Sequence, residues 1–597
     1  MQTVDGVRMF QTMVAMRDGT RLNTFVYLPQ NGGPRFPVIL QRTPYGITLS
    51  GSNTHTDCKQ GWLPAADAPM RGSIMRGYKN IVACGYAAVY QDTRGRYASE
   101  GEDRVYADDA ADGYDTLAWI ASEPWCNQMI GMSGSSAAAT TTFAAASQRH
   151  TSLRAFFAQV GGSSIYDDVV YEGNAIEMER LWLWVAKNIP GLSPSHRAAA
   201  MRTHGISVAD MDRVATSANA RYTRLEAASH TTLPFVANED WLRLPLSRYP
   251  DFSTWQPFLD EILAHPAPDA FRARHNFRRG IDIPGFHATT WYDIFQTSVI
   301  AGFNDIQSRV GNQKLWIGPN HHYYIYETNF WPHDPYFEWF DHWLKGKQTR
   351  IMQQPPVFYS PRAWVEDKTN YVANDWRHAE RWPPPGAVPQ RFYLCGDGSL
   401  SAIASDGPAR SYTYDPRRPI PTLGGRNMLI DAGPRDQRPA QALPNYGLIY
   451  RSEPLTEDIT IAGQVRVTLH VQSDCPDTDF VAKLIEVEPD GRAMLLMDGV
   501  VRAMYRDASS PVAQPLEAGH VYPLTISLAH IHHTLRAGNR IEVDITSSNF
   551  PRRARNTNSG HAMLANDSDA DIRVARNAVH HGEATPSFIE MPLMAKQ

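Results

Sequence analysis

The sequence contains few cysteines and shows no bias toward one sign of charge. Its five cysteines are spread over 597 residues, at Cys58, Cys84, Cys126, Cys395 and Cys475. This odd and unclustered set predicts reduced thiols rather than a disulfide framework. The formal net charge is −5, from 57 basic and 62 acidic side chains. Such a balance argues against a nucleic acid or an anionic membrane as a partner and favours a small molecule.

Long apolar runs are also lacking. No stretch of about 20 apolar residues could span a bilayer, and residues 1–8 lack the basic and then apolar order of a secretory signal. We therefore expect no membrane partner and a cytoplasmic location for the chain as it stands. A cleaved signal peptide would leave no trace in this sequence.

Patterns that bind metals are missing as well. Catalytic and structural zinc sites need spaced sets of His, Cys or carboxylate ligands. His333 and His342 have no cysteine partner and no H-E-x-x-H pattern beside them. We predict neither a catalytic metal nor another cofactor.

The most informative stretch that is present runs from residue 129 to residue 140, M-I-G-M-S-G-S-S-A-A-A-T. It predicts a strand that turns sharply into a helix of small residues, as in a nucleophile elbow. Ser136 is the candidate nucleophile, because Gly134 and Ala138 leave room for the strand and helix to approach. Ser133 fits less well, since its helix would begin with a glycine, which costs about 1 kcal/mol in a helix interior. The alternative interpretation is an ordinary helix N-cap.

A carboxylate and histidines follow the serine in the order Ser, Asp, His that α/β-hydrolases use. Asp293 ends one predicted strand and precedes an amphipathic helix predicted over about residues 296–310. A further predicted strand over residues 314–319 leads into His321 and His322. From the residues alone, either histidine could be the base. Asp293 could instead cap its helix, and the histidine pair could be structural.

Several further motifs occur in a fixed order along the chain. They are V-A-M-R-D-G-T at 14–20, Q-R-T-P-Y at 41–45, Q-D-T-R-G-R-Y at 91–97, the Ser136 segment, W-Y-D at 291–293, G-P-N-H-H at 318–322 and F-D-H-W-L-K-G at 340–346. Together they resemble the cocaine esterase, α-amino acid ester hydrolase and X-Pro dipeptidyl-peptidase family of serine hydrolases. The resemblance runs nearly end to end and is more specific than any single motif.

The resemblance implies roles that the residues alone do not assign. It selects His322 as the catalytic base, because the family places this histidine three residues after the proline of its Gly-Pro loop. It also implies that Tyr45 and the backbone N–H of Ala137 donate hydrogen bonds to the oxyanion.

For the substrate, the resemblance gives a mixed picture. Asp168 lies where α-amino acid ester hydrolases carry one of the carboxylates that bind the substrate's ammonium group. The two other expected acidic positions are Phe295 and Gln296 here. Phe295 instead matches an aromatic residue that lines the acyl pocket, which favours a flat or apolar acyl group. We include Trp182 as a further candidate substrate contact.

The predicted fold is an α/β-hydrolase with a doubly wound, mostly parallel sheet, over residues 1–165 and 269–354. Strand-like runs at 37–40 and 87–90 alternate with helical stretches such as 109–121, which is the pattern of such a sheet. Residues 166–268 lack strand alternation and contain scattered tryptophans, so we predict a helical cap inserted into this domain. Residues 355–597 contain short alternating segments typical of a β-sandwich, and the resemblance implies a jelly roll.

These observations predict a serine hydrolase that cleaves small-molecule carboxylic esters through an acyl-enzyme. Amides stay open as further substrates. Two alternatives stay open. One is an amidase or peptidase, such as an X-Pro dipeptidyl peptidase or an α-amino acid ester or β-lactam acylase. Its ammonium site would have to come from Asp167, Asp168, Glu172 and Glu177. The other is a non-catalytic binding protein on a hydrolase fold. The sequence leaves open whether the chain forms a homo-oligomer.

Overall fold

The structure is a computed structural model that describes residues 2–4, 7–47, 77–228, 239–326, 335–366, 375–428, 430–507 and 510–595. Eleven of its strands form one large sheet. In chain order they are β1 (Gln2–Val4), β2 (Val7–Ala15), β3 (Arg21–Leu28), β4 (Phe36–Thr43), β5 (Ala87–Asp92), β6 (Cys126–Ser135), β7 (Leu153–Gln159), β10 (Gly285–Tyr292), β11 (Gln313–His321), β12 (Val357–Tyr359) and β13 (Arg377–Ala379). Their spatial order is β1-β2-β3-β5-β4-β6-β7-β10-β11-β12-β13.

The centre of this sheet is parallel. Every pairing from β5 through β4, β6, β7, β10 and β11 to β12 is parallel, whereas β1, β2, β3 and β13 pair antiparallel with their neighbours. A parallel sheet is covered on both faces, so its strands are apolar on both sides. All residues of β5 and β10 are buried, as this rule requires.

Helices cover both faces of the sheet. They are α1 (Tyr78–Ala83), α2 (Asp109–Ser122), α3 (Ala137–Ala146), α10 (Gln296–Val310), α11 (Pro335–Lys345) and α12 (Arg350–Gln353). One hydrophobic core contains Leu117 of α2 and Phe143 of α3, and a separate core contains Tyr78 of α1 and Trp339 of α11. This doubly wound arrangement confirms the predicted α/β-hydrolase fold.

A mainly helical region lies between β7 and β10. It contains a π-helical turn (Ile165–Val170), a small hairpin of β8 (Tyr171–Glu172) and β9 (Ala175–Ile176), and the helices α4 (Met178–Asn188), α5 (Pro194–His204), α6 (Val208–Ala228), α7 (Glu239–Leu242), α8 (Gln256–Ala264) and α9 (Ala270–Arg274). We refer to residues 166–268 of this region as the cap. Trp182, Trp241 and Trp255 are buried in it, at 1–3% exposure, so these tryptophans form its core.

The C-terminal part is an antiparallel β domain. Its strands are β14 (Ala387–Leu394), β15 (Leu400–Ser401), β16 (Arg410–Tyr414), β17 (Leu448–Arg451), β18 (Ile459–Ser473), β19 (Asp479–Val487), β20 (Ala493–Arg502), β21 (Tyr522–Leu535), β22 (Arg540–Thr546), β23 (Ala575–His580) and β24 (Phe588–Met594), with one short helix, α13 (Arg438–Gln441). One sheet has the order β15-β14-β24-β18-β23-β16, with β21 also paired to β18, and the other has the order β17-β22-β19-β20. Two packed antiparallel sheets are the architecture expected from the alternating segments.

The structure bears on the cysteines and on the lack of long apolar runs. Cys126, Cys395 and Cys475 are free thiols, whereas Cys58 lies outside the described residues. No helix in the described part of the chain is long and apolar enough to cross a membrane.

Candidate active site

The predicted elbow forms where β6 meets α3. Ser136 lies between them with φ 55° and ψ −123°, a backbone conformation that L residues rarely adopt and that is typical of strained functional positions. A Cβ added at Gly134 would lie 2.1 Å from the carbonyl oxygen of Ala138. Only glycine therefore allows the strand and the helix to come this close. Ser136 is partly exposed, while Ser133 and Ser135 are buried.

Ser133 has a different environment from Ser136. Its hydroxyl lies 2.8 Å from the hydroxyl of Tyr336 in α11, and both groups are buried. This contact places Ser133 on the side of the sheet covered by α11. The structure thus separates the two serines that the sequence pattern left close together.

Asp293 and His322 meet at the carboxyl ends of two adjacent strands. Asp293 directly follows β10, and His322 directly follows β11. His322 Nδ1 lies 2.6 Å from Asp293 Oδ1, and His322 Nε2 lies 3.2 Å from Ser136 Oγ. Asp293 is fully buried and His322 is 1% exposed. The arrangement has the geometry of a nucleophile, a base and a carboxylate that orients the base.

Two neighbouring residues hold this pair in place. Thr289 Oγ1 donates to the second carboxylate oxygen of Asp293 across 2.8 Å. Before His322, Asn320 adopts φ 66° and its side chain exchanges two hydrogen bonds with the backbone of Val365, at 2.6 and 2.8 Å. His321, by contrast, points to aromatic neighbours, with its ring 4.9 Å from that of Tyr324.

Tyr45 lies two residues beyond β4, and its hydroxyl reaches Ser136. Trp184 Nε1 donates a hydrogen bond to Tyr45 Oη across 3.2 Å, and the Tyr45 hydroxyl also hydrogen-bonds with Ser136. Burial raises the pKa of Tyr45 above its ordinary value, while these two hydrogen bonds act to lower it. The phenol therefore keeps its proton at neutral pH. Because an indole N–H can only donate, Tyr45 accepts from Trp184, and the proton of the Tyr45 hydroxyl points to another group.

Arg96 ties the Tyr45 loop to the cap. Its side chain is fully buried; Nε donates to the carbonyl of Pro44 at 2.9 Å and Nη1 to the carbonyl of Asn188 at 2.8 Å. The Asn188 side chain donates in turn to the carbonyl of Trp184 at 2.7 Å. One guanidinium thus fixes the residue before Tyr45 and the end of the helix that carries Trp184.

Ala137 is the first residue of α3. The first N–H groups of a helix have no acceptor within the helix, and within the described residues no other group accepts the N–H of Ala137. Ala137 is adjacent to Ser136 in the chain, and the Tyr45 hydroxyl hydrogen-bonds with Ser136, so both candidate donors lie close to the candidate nucleophile.

Phe295 lies beside the histidine. Its ring centroid is 5.9 Å from that of His322, in an edge-on arrangement, and Phe295 is 8% exposed. Gln296 is fully buried and faces away from this region: its side chain exchanges hydrogen bonds with the backbone N–H and carbonyl of His530 in β21. Gln296 thus joins the catalytic domain to the C-terminal domain.

The structure places Trp182 in the core of the cap. Its ring packs edge-on against Phe252 and Tyr249, at centroid distances of 4.8 and 5.4 Å. Trp184, two residues further along α4, is the tryptophan that contacts Tyr45. Nothing in the local sequence pattern separates Trp184 from Trp182, since both belong to the scattered tryptophans of residues 166–268.

Three of the four carboxylates considered for a substrate ammonium group are paired with arginines. Asp167 accepts two hydrogen bonds from Arg272, at 2.6 and 3.0 Å. Asp168 lies in the same π-helical turn, and its side chain is outside the described part of the structure.

Glu172 and Glu177 meet arginines of the C-terminal domain. Glu172 pairs with Arg426 at 2.6 Å, Arg553 at 2.5 Å and Arg552 at 3.1 Å. Glu177 lies 3.3 Å from Arg553 and 3.6 Å from Arg552. The arginines hold the pKa of Glu172 well below its ordinary value against the opposing effect of burial. These two carboxylates are therefore already neutralised by the protein.

Among the described residues, no group of three or more His, Cys, Asp or Glu side chains could hold a metal ion. His333, one of the histidines considered in the sequence, lies outside the described residues.

Comparisons with known proteins extend over the whole chain. Residues 18–324 match the model of the X-Pro dipeptidyl-peptidase (S15) family, and residues 350–590 match that of the X-Pro dipeptidyl-peptidase C-terminal non-catalytic domain. The cocaine esterase of Rhodococcus sp. (strain MB1 Bresler) is 31% identical, with 98% of each chain covered.

Two solved structures show the same fold. An α-amino acid ester hydrolase superposes with a TM-score of 0.71 at 21% identity, covering 99% of this chain and 98% of its own. An aminopeptidase from a marine sediment Thaumarchaeota archaeon has a TM-score of 0.70 at 22% identity, covering 99% and 97%. On the full-length match to a 31% identical relative and the family model that covers its first half, the chain belongs to the X-Pro dipeptidyl-peptidase (S15) family of serine hydrolases, together with cocaine esterase.

Proposed function

We propose that the protein is a serine hydrolase that cleaves carboxylic esters of small molecules. The observation that carries this proposal is the continuous contact from Asp293 through His322 to Ser136, with distances of 2.6 and 3.2 Å. A hydroxyl in contact with an oriented imidazole is an activated nucleophile. The esterase named among the relatives supports an ester as the substrate.

In the first half of the reaction, Ser136 Oγ attacks the ester carbonyl while His322 Nε2 takes the hydroxyl proton. Asp293 orients the resulting imidazolium and stabilises its charge. The tetrahedral intermediate collapses as His322 gives the proton to the departing alcohol oxygen, which leaves an acyl group on Ser136. In the second half, water attacks the acyl-enzyme while His322 takes its proton, and His322 then gives this proton to Ser136 Oγ as the bond to the acyl group breaks and the carboxylic acid is released.

Negative charge on the carbonyl oxygen is stabilised by two donors, the Tyr45 hydroxyl and the Ala137 N–H. Donors placed where charge develops contribute about 3–4 kcal/mol each to the transition state. Trp184 supports this role because it occupies the acceptor side of the Tyr45 hydroxyl. We therefore propose Trp184 as a positioning residue, in place of a substrate contact at Trp182.

The acyl group that fits this site is uncharged. Phe295 presents an aromatic ring next to His322, and its neighbour Gln296 is used for a contact between domains. Asp167, Glu172 and Glu177 already pair with arginines. To pair with one of the described carboxylates, a cationic α-amino group would have to displace these ion pairs, whereas a flat or apolar acyl group needs none of them.

The second candidate function is cleavage of an amide, such as the bond after an X-Pro dipeptide. The observation that favours it is the family model, whose name describes an X-Pro dipeptidyl peptidase. Such a peptidase must bind a free amino terminus. Of the described cap carboxylates, Asp167, Glu172 and Glu177 already form ion pairs with arginines. A non-catalytic binding role is the least favoured, because a binding protein needs neither the triad nor the oxyanion donors.

The test compares initial rates for matched aryl esters and anilides that carry acetyl, butyryl, benzoyl, α-aminoacyl and X-Pro groups, with Ser136→Ala as the blank. We expect the unsubstituted esters, benzoyl included, to be cleaved fastest, with rates that depend on Ser136. A strong preference for aminoacyl or X-Pro groups would overturn the ester assignment in favour of the peptidase. Rates equal to the blank for every substrate would support the binding role instead.

We also propose that the protein acts in the cytoplasm. The free thiols of Cys126, Cys395 and Cys475 support a reducing compartment. Cell fractionation of the native host, with detection of the full chain by antibody, tests this location.

A further inference from the structure

A cavity lies between the C-terminal domain and the cap. Its volume is about 330 Å³, which is within the range of small-molecule binding sites. Its walls come from β16 and the segment that follows it, from the segment before β17, and from Leu242 at the end of α7. Ser136, Asp293 and His322 do not line it, so this cavity is separate from the candidate active site.

The floor of the cavity is aromatic. Tyr412, Tyr414 and Tyr446 line it, and each is at most 7% exposed. Their hydroxyls are all engaged by the protein, with Ser547 Oγ at 2.7 Å, the carbonyl of Asn556 at 3.3 Å and Asp544 Oδ2 at 2.6 Å, respectively. Because the hydroxyls point to these protein partners, we expect the tyrosines to offer a ligand mainly the carbon of their rings.

The mouth of the cavity carries an excess of positive charge. Arg417, Arg418 and Asp415 all line it. Arg417 Nη1 pairs with Asp415 Oδ1 at 3.3 Å. Arg418 is exposed, and no carboxylate in the described part of the chain pairs with it. One cation at the mouth is therefore available to an anionic ligand.

The two sides of the cavity are held together by Arg555. Its Nη1 donates to the carbonyl of Pro416 at 2.7 Å, and its Nη2 donates to the carbonyl of Leu242. The first bond fixes the turn that carries Arg417 and Arg418, and the second fixes the end of α7. Since the protein's own contacts define both walls, the cavity is formed before a ligand arrives.

We propose that this cavity binds a small aromatic carboxylic acid in its anionic form. The aromatic ring would pack against Tyr412, Tyr414 and Tyr446, and the carboxylate would pair with Arg418. Stacked or edge-on aromatic contacts and a charge-assisted hydrogen bond are the interactions that these groups make best. A neutral sugar, by contrast, has no charge that could pair with Arg418.

The experiment is a calorimetric titration of 1-naphthoate into the full-length Ser136→Ala protein. Under the proposed esterase function this variant does not turn over esters, and binding in the cavity at Arg418 does not depend on whether the esterase proposal holds. We expect saturable binding that is at least about tenfold weaker for 1-naphthamide, which has the same rings without the charge.

Three variants in the same background locate the binding. Arg418→Gln should weaken 1-naphthoate at least about tenfold, whereas Arg381→Gln, another exposed arginine, should leave the affinity unchanged. Leu443→Trp places an indole in the cavity and should abolish binding. Arg418 is exposed, so its variant tests the proposal even if Leu443→Trp does not fold. Binding that none of these changes alters, equal binding of the amide, or binding of methyl β-cellobioside but not of 1-naphthoate would each overturn the proposal.

Discussion

At the scale of single residues, the candidate active site depends on where each hydrogen-bonding group is aimed. The Tyr45 hydroxyl hydrogen-bonds with Trp184 and with Ser136. The indole N–H of Trp184 can only donate, so it occupies a lone pair of the Tyr45 oxygen and leaves the phenolic proton for the oxyanion that we propose it stabilises. The cap thereby takes part in aiming a donor that belongs to the catalytic domain.

This arrangement predicts the effect of removing the Tyr45 hydroxyl. Tyr45→Phe should lower kcat by about 10²–10³ with little change in KM, because the lost hydrogen bond is made in the transition state. The measurement is steady-state kinetics on an aryl ester. Trp184→Phe keeps the Tyr45 hydroxyl but not its donor, and should give a smaller loss in kcat. A Tyr45→Phe enzyme with unchanged kcat would remove Tyr45 from the mechanism.

Residue-level roles were only partly predictable from the sequence. The elbow and the order Ser, Asp, His indicated Ser136 and Asp293 from local patterns. The choice between Trp182 and Trp184 was not predictable, because it depends on how α4 is rotated against the catalytic domain. Asn320 could have been suspected from its place before His321, since Asn tolerates a positive φ, but its partner Val365 lies 45 residues further on.

At the scale of secondary structure, the elbow depends on the close approach of β6 and α3. Gly134 and Ala138 are the two residues at this contact, and a Cβ at position 134 would lie only 2.1 Å from the Ala138 oxygen and 2.3 Å from its carbonyl carbon. These are backbone atoms, which cannot swing away as a side chain can. The strand and helix would have to separate, and the Ser136 backbone would change with them.

Gly134→Ala should therefore destabilise the protein by about 1–3 kcal/mol or more and greatly reduce activity. Urea unfolding followed by circular dichroism, with esterase assays on the same samples, measures both effects. Gly302→Ala in α10 is the matched control, because its nearest neighbour would be Ser163 Oγ at 3.3 Å and alanine favours a helix. If Gly134→Ala behaved like Gly302→Ala, the elbow packing would not have the importance that we assign to it.

The elements of the catalytic domain were well predicted. The helix expected over residues 296–310 is observed as α10, Gln296–Val310, and the strand expected over 314–319 lies within β11, Gln313–His321. Strong periodicity and clear end signals explain this agreement. The hairpin of β8 and β9 was not predicted, since its strands have two residues each and too little length to show alternation.

At the scale of the whole molecule, the three parts are joined by buried polar contacts. Glu172 of the cap pairs with Arg426, Arg552 and Arg553 of the C-terminal domain. From the sequence, Glu172 was a candidate ammonium ligand. Its arginine partners lie 254 to 381 residues away along the chain. No local pattern can reveal such a pairing.

Glu172→Gln should destabilise the protein by about 3–5 kcal/mol, because it leaves buried arginines without their counter-charge. Thermal unfolding and limited proteolysis of the folded chain measure this effect, with faster cleavage expected at the boundary of the cap. Glu453→Gln is the control, since Glu453 is 94% exposed and its ion pair with Arg540 is long, at 3.5 Å; surface pairs contribute about 0–1 kcal/mol. Equal effects of the two substitutions would contradict a structural role for Glu172.

His530 of β21, which contacts Gln296 of α10, makes the folding stability depend on pH. Trp382 Nε1 donates to His530 Nδ1 at 3.1 Å, which requires that nitrogen to be unprotonated. Burial, with the nearby charges of Arg426 and Arg466, lowers the pKa of His530 to about 3. Above pH 6.5 the histidine is neutral in the folded and the unfolded chain. Below that value the unfolded chain binds a proton that the folded chain does not, so stability falls as the pH falls.

We expect His530 to contribute a loss of up to about 1.4 kcal/mol per pH unit between pH 6.5 and the folded-state pKa. His530→Gln keeps an acceptor for Trp382 and removes the titration, so its unfolding free energy should change less between pH 7.5 and 5. His520→Gln, at an exposed position, should keep the wild-type dependence. Parallel pH profiles for wild type and His530→Gln would show that His530 is not responsible.

The proposed role of Ser136 as nucleophile is tested by the rates of aryl ester hydrolysis of Ser136→Ala, Ser135→Ala and Ser133→Ala. These three serines lie within four residues but occupy different positions around the elbow. We expect Ser136→Ala to lose at least about 10⁴-fold in kcat while keeping the folded structure by circular dichroism, and the other two variants to retain most of their activity. Wild-type rates from a folded Ser136→Ala protein would show that Ser136 is not the nucleophile.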